Sequence, residues 1–88
     1  MEHELKTWPQ FFQAISTGRK TFEVRKNDRG FNAGDVLRLR EWDPACSHMS
    51  PRHQYTGNEM RMKVTYVLTG EAFGIKDGFC VMGIKRLK

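Results

Sequence analysis

Apolar and polar positions alternate with two different periods along this chain, and the change falls near residue 18. Trp8, Phe11, Phe12 and Ile15 follow one another at spacings of 3, 1 and 3, the single apolar stripe of a short helix. Thr7 reads as its N-cap, with Gln10 three residues on to complete a capping box. Pro9 falls in the first turn, where its missing N–H costs nothing, and Gly18 supplies a left-handed stop. The stripe predicts a helix sealed onto the rest of the fold.

Beyond Gly18 the period is two. Phe22 and Val24 point to one side of a strand, and Thr21, Glu23 and Arg25 point to the other. Asn27-Asp28-Arg29-Gly30 and Asn32-Ala33-Gly34-Asp35 carry turn chemistry. Residues 36–42 read as a strand with Leu37 and Leu39 inward and Arg38 and Arg40 outward. Met60, Met62, Val64, Tyr66 and Leu68 share one face of a strand over 60–68, which makes Tyr66 a core residue. Glycines 70, 74 and 78 turn the chain into a last strand over 79–84. Residues 43–58, with Pro44, Pro51 and Gly57-Asn58, form the longest irregular excursion. One helix followed by four or more strands predicts a mostly β chain of the α+β class. Its expected architecture is a small, mostly antiparallel β-barrel with a helix packed against it.

The 88 residues make one domain, 1–88. With 39% hydrophobic and 28% charged residues the chain is too apolar to be disordered. No apolar run reaches the ~20 residues that would cross a bilayer, and residues 1–6 lack the basic-then-apolar pattern of a secretory leader. A cytoplasmic protein with no membrane association and no obligate protein partner is expected.

Net charge is +5, and the excess leans to the second half, where seven basic residues face three acidic ones. A sequence pI near 9.6 is the electrostatic footprint of a nucleic-acid binder. Two cysteines, Cys46 and Cys80, cannot build a disulfide framework. Cys46, His48 and His53 stand in one loop as C-x-H-x4-H, but a structural zinc site needs four ligands. His3 could be a fourth only if the fold brought it near. The loop is read as a polar connector, and neither a metal nor a cofactor is expected.

The unusual segment runs from Gly18 to Asp28. A lysine stands at the helix-to-strand junction, and Thr21, Glu23 and Arg25 line one strand face beyond it. A plain solvent-facing strand has the same alternation. Glu23, placed between Lys20 and Arg25, can instead be an ion-paired carboxylate that orients two cations. Trp42 ends a strand before the long loop, where an indole either caps the barrel or stacks on a base. Arg19, Lys26, Arg29, Arg38, Arg40, Arg61 and Lys63 are candidate phosphate contacts.

The order His3-x-Leu5-Lys6-x2-Pro9-x-Phe11-Phe12-x2-Ile15-x2-Gly18-x-Lys20-Thr21-x-Glu23-x-Arg25, then Gly34-Asp35-x-Leu37-x-Leu39-Arg40-Glu41-Trp42, resembles the activating-signal-cointegrator homology (ASCH) family. It looks closest to a compact bacterial and phage subgroup of undefined function. That resemblance implies a PUA-like barrel with flanking helices and a cleft between helix and barrel. It also implies a link to RNA, with the motif lysine, glutamate and arginine, here Lys20, Glu23 and Arg25, lining the cleft beside Thr21.

One branch of small ASCH proteins is similar and hydrolyses the amide of acetylated cytidine, with a threonine nucleophile three residues after the lysine. Here that position holds Glu23. Thr21 comes two residues early, which on a strand displaces its hydroxyl by ~6.5–7 Å. The expected function is therefore binding of RNA or a nucleotide by Lys20, Thr21, Glu23 and Arg25, with Arg40, Trp42 and Lys6. The alternative is a small hydrolase acting on a modified nucleoside or on RNA. In it, Glu23 activates water, Lys20 stabilises an oxyanion and Thr21 stands by.

Overall fold

The computed structural model describes residues 1–46 and 54–87. Among the described residues, five strands and the helix α1 follow in chain order: β1 (Glu2–Thr7), α1 (Pro9–Ser16), β2 (Phe22–Lys26), β3 (Val36–Trp42), β4 (Tyr55–Leu68) and β5 (Phe79–Arg86). The strands form one sheet in the order β1-β3-β4-β5-β2. β1 runs parallel to β3, and the other three pairings are antiparallel. The sheet is a mixed, curled half-barrel carrying one short helix.

The first strand is an element that the apolar pattern did not announce. Its buried positions are His3, Leu5 and Thr7, and its exposed ones are Glu2, Glu4 and Lys6, so two of three inward residues are polar. The reading of Thr7 as helix cap fails for the same reason. Thr7 is the last, buried residue of β1. Trp8 stands at the N-cap without any side-chain capping bond, and its carbonyl accepts from Phe11 and Phe12 N–H. Pro9 does open the helix, where its fixed φ is pre-organised.

The core lies within the curl. Leu5, Phe12, Ile15 and Phe31 close over Leu37, Leu39, Met60, Met62, Val64, Cys80, Met82 and Ile84. Leu37, Leu39 and Met82 are fully buried, each contributing about 1.5–3 kcal/mol by leaving water. β3 has the bounds and inward faces its alternation predicts, and Glu41 continues the inward row. β4 begins earlier than its alternation suggests, so residues 55–58 are strand rather than loop.

Alternation in β4 holds through Val64 and then breaks. Val64 pairs with Ile84 and Tyr66 with Gly83, a bulge at Thr65. One extra residue turns every later side chain over. Val67 packs on the core and Tyr66 is 66% exposed, so Tyr66 is not a core residue. Gly83 accommodates the bulge, since a Cβ there would lie 2.7 Å from Thr65 Oγ1.

His3, the candidate fourth ligand, is engaged by Asp35, whereas His48 and His53 lie outside the described residues. His3 Nε2 lies 2.8 Å from Asp35 Oδ2, and its ring meets Phe31 edge-on at 4.8 Å. Among the described residues no three metal-ligating side chains converge, and no helix is long and apolar enough to cross a membrane.

Burial pushes the Cys80 thiol above its ordinary value, which suppresses the reactive thiolate. In a Cys46→Ser background the folded protein should not react with a chromogenic disulfide at neutral pH, whereas denatured protein should react at one equivalent. Rapid reaction of the folded protein would show that the β2–β5 pairing opens readily.

Candidate functional site

Gly18, at φ +80°, lets the chain reverse after α1, and both Arg19 and Lys20 N–H then donate to the Ala14 carbonyl at 2.9 Å. This closure brings Lys20 back beneath the helix, facing the first residues of β2. Glu23 is the inward residue of that strand. Its side chain is only 4% exposed, so the polar side of β2 faces in, and Phe22 and Val24 face out at 45% and 52% exposure. A solvent-facing polar row and this buried one share the same alternation.

Glu23 is held from both sides. Lys20 Nζ donates to Oε1 at 2.5 Å and Arg25 Nε to Oε2 at 2.8 Å. The Lys20 ammonium also lies 5.5 Å from the Phe11 ring centroid and 5.0 Å from that of Phe22, within cation–π range. Arg25 reaches further, donating from Nη2 to the Lys6 carbonyl at 2.8 Å. Arg29 Nη1 donates to the Glu4 carbonyl at 2.7 Å. Two arginines thus tie the unpaired edge of β1 to the β2 side of the curl, where no backbone ladder joins these strands. Arg29 is committed to this seam.

Between α1, the end of β1 and β2 lies a cleft of about 480 Å³. Trp8, Phe11, Phe22 and Val24 supply apolar walls, and Lys6, Thr7, Lys20, Glu23 and Arg25 supply the polar groups. Trp8 and Phe11 stack on each other with centroids 6.1 Å apart and stay almost half exposed. The helical stripe is therefore divided: Phe12 and Ile15 face the core, and Trp8 and Phe11 face the cleft. The arrangement presents π-faces beside a buried carboxylate and two fixed cations. It can stack a planar ring and accept hydrogen bonds from its N–H groups.

Among the residues expected at the site, the fold brings Lys6, Lys20, Glu23 and Arg25 together. Thr21 is exposed and outside the cleft lining. Arg40 lies on the outer face of β3, pairing with Glu4 at 3.2 Å and stacking on Tyr55 at 3.9 Å. Trp42 is half-buried and outside the cleft lining, and the ammonium of the cleft residue Lys6 stands 4.8 Å above its ring. Arg38 and Arg61 are likewise engaged, with Glu4 and Glu59 and with Glu2. The hydrogen bond from Arg38 holds the Glu59 carboxyl below its ordinary value.

Thr7, Trp8, Phe11, Phe22 and Val24 line the cleft, but the sequence did not mark them as site residues. The available signal was the excess of aromatic surface around positions 8–12 and 22, more than one short helix and one edge strand can cover. Glu41 is a further buried carboxylate, accepting from Thr56 Oγ1 at 2.7 Å and Asn58 Nδ2 at 3.1 Å.

Residues 2–84 match a domain of unknown function (DUF3850). The chain belongs to that family. Over 65 residues it is 32% identical to an uncharacterized 12.9 kDa protein in the GpA 3′ region of Escherichia phage P2. The match covers 74% of this chain and 52% of that relative, so the chain spans about half of the phage protein's length.

Proposed function

We propose that this DUF3850 domain binds an unpaired base of RNA, or a free nucleotide, in the cleft between α1 and β2. The observation that carries this reading is the buried Glu23 carboxylate, clamped by Lys20 and Arg25 at the side of an aromatic-walled cleft. Stacking on exposed aromatic rings is how proteins hold splayed-out bases. A carboxylate with remaining lone pairs accepts from amino or imino groups on a base edge, and Lys6 is placed to meet a phosphate. The ASCH resemblance and the basic net charge favour the same reading, with the half-barrel as a PUA-like scaffold.

The hydrolytic alternative is favoured by one contact, the short Lys20–Glu23 pair. With Thr21 outside the cleft, and the Thr7 hydroxyl 3.4 Å from Arg25 Nη2, it would run through water activated by Glu23. Release of cytidine from acetylated cytidine, abolished by Lys20→Ala, would establish it.

Binding is read through Trp8 fluorescence in a Trp42→Phe background. Titration with nucleoside monophosphates and short single-stranded RNA should quench the signal saturably. Phe11→Ala should weaken binding by roughly tenfold, the loss expected for one stacking surface. No quenching up to millimolar ligand would reject the cleft as a nucleotide site.

A further inference from the structure

Two exposed aromatic side chains, Phe22 and Tyr66, arrive on one row of the sheet's outer face. Phe22 pairs with Gly83 across β2 and β5, and Tyr66 pairs with Gly83 across β4 and β5. Met82 and Ile84 on either side of Gly83 are buried, so Gly83 faces out. The row thus presents two exposed aromatic rings on either side of a residue with no side chain. Two strand spacings separate their backbones by about 9.5 Å.

The adjoining row is cationic. Lys63 and Lys85 are direct cross-strand partners, both exposed, and among the described residues neither lies within ion-pairing distance of a carboxylate. Like charges directly opposite are destabilising. The outer cations of β3 contrast with this, since Arg38 and Arg40 are met by Glu4 and Glu59. Lys63, Thr65, Lys85 and Arg86 line a hollow of about 670 Å³, offering three cations and a hydroxyl. The face is also continuous with the cleft. Phe22 is a cleft wall, and Ile84 N–H donates to the Thr21 carbonyl at 3.0 Å, which sets the Lys20–Thr21 junction beside Lys85.

We infer that the outer face of β2, β5 and β4 is a second nucleic-acid surface, on which a single strand leaving the cleft stacks bases on Phe22 and Tyr66 and lays its phosphates along Lys63 and Lys85. The inference rests on the nucleotide reading of the cleft and extends it from one base to a short strand. Exposed aromatics on an open sheet with cations beside them are a chemistry suited to single strands. The unpaired lysines then have their counter-charge in the ligand.

The test compares uridine monophosphate with a single-stranded uridine octanucleotide. Tyr66→Ala should leave monophosphate affinity unchanged and weaken octanucleotide binding about tenfold. Lys63→Ala/Lys85→Ala should lower the slope of log affinity against log salt for the octanucleotide by about 1.4, two phosphate contacts at ~0.7 each. Lys85→Glu, which gives Lys63 a cross-strand partner, should raise the melting temperature while reducing octanucleotide affinity. Octanucleotide affinity and salt slope unmoved by these variants, with the monophosphate still bound, would overturn the outer face and leave the cleft standing. Failure of both ligands to bind would overturn both. A wild-type dimer in solution that Tyr66→Ala converts to monomer would make this face a contact between copies and reject the inference.

Discussion

Glu23→Ala is expected to lower the melting temperature by roughly 10–20 °C, the shift that ~2–3 kcal/mol produces in a domain of this size. Removing one member of a buried ion pair typically costs ~3–5 kcal/mol because the remaining charge is left uncompensated. The value is lower here because Lys20 and Arg25 keep some contact with water, at 17% and 25% side-chain exposure. Arg25 also loses the anchor that aims it at the Lys6 carbonyl, so the β1–β2 seam should loosen. Glu23→Gln keeps the shape and one acceptor oxygen, and should cost about half as much.

Both variants should weaken nucleotide binding beyond what their stability loss explains when binding is measured well below the melting transition. Glu59→Gln is the control: Glu59 also meets two arginines, but on the exposed outer face of β4, where ion pairs contribute little. Calorimetric melting beside ligand titration checks the set. Melting temperatures unchanged by Glu23→Ala would show that the two cations are hydrated without it, and the clamp would not be a fixed element of the cleft.

Asp35 is the second residue whose loss should be large. Its carboxylate accepts from His3 Nε2 at 2.8 Å and from Asn32 N–H at 3.0 Å, and the terminal ammonium of Met1 lies 3.4 Å away. Asp35→Ala should destabilise the domain by about 1–3 kcal/mol, because the His3 ring, buried against Phe31, is left with an unsatisfied nitrogen. The hydrogen bond from His3, then that from Asn32, holds the Asp35 carboxyl below its ordinary 3.8 against an opposing effect of burial.

A depressed folded-state value favours the ionised form in the native protein. Its stabilisation is complete above the unfolded value and is lost as pH falls through the folded one. The part of the unfolding free-energy gap between wild type and Asp35→Asn that comes from this carboxylate should therefore close progressively as pH falls from about 5 through the folded-state value. Urea unfolding across that range checks it. A gap that stays open at acid pH would assign the effect of the substitution to packing instead of charge.

Asp35 also shows that a sequence motif need not mark a site. Gly34-Asp35 belongs to the pattern that resembles the ASCH family, yet Asp35 pins β1 to the turn before β3 and does not line the cleft. The Lys-x2-Glu-x-Arg spacing, in contrast, is the cleft clamp itself. Both stretches lie within one matched family region, and only their partners in space separate their roles.

Much of this protein is decided by local rules that a linear chain can express. Pro9 and Gly18 bound the helix, Leu37 and Leu39 orient β3, and Met60, Met62 and Val64 orient most of β4, because those runs alternate cleanly between apolar and charged. The pairing of Lys20, Glu23 and Arg25 is legible for the same reason, since their spacing brings them together at a helix-to-strand junction. Three things required the tertiary structure.

β1 is invisible as a strand because His3 and Thr7 are inward positions only once Asp35 and Arg25 arrive from distant segments to satisfy them. β2 carries apolar Phe22 and Val24 outward and charged Glu23 inward because the cations on both sides compensate the buried carboxylate, which outweighs the local apolar preference. Tyr66 leaves the core because Thr65 is an extra residue against a partner strand whose Gly83 leaves room for it. Periodicity specifies which residues share a face. Which face points inward depends on what the rest of the chain places opposite, and that energy is set only when the sheet has curled.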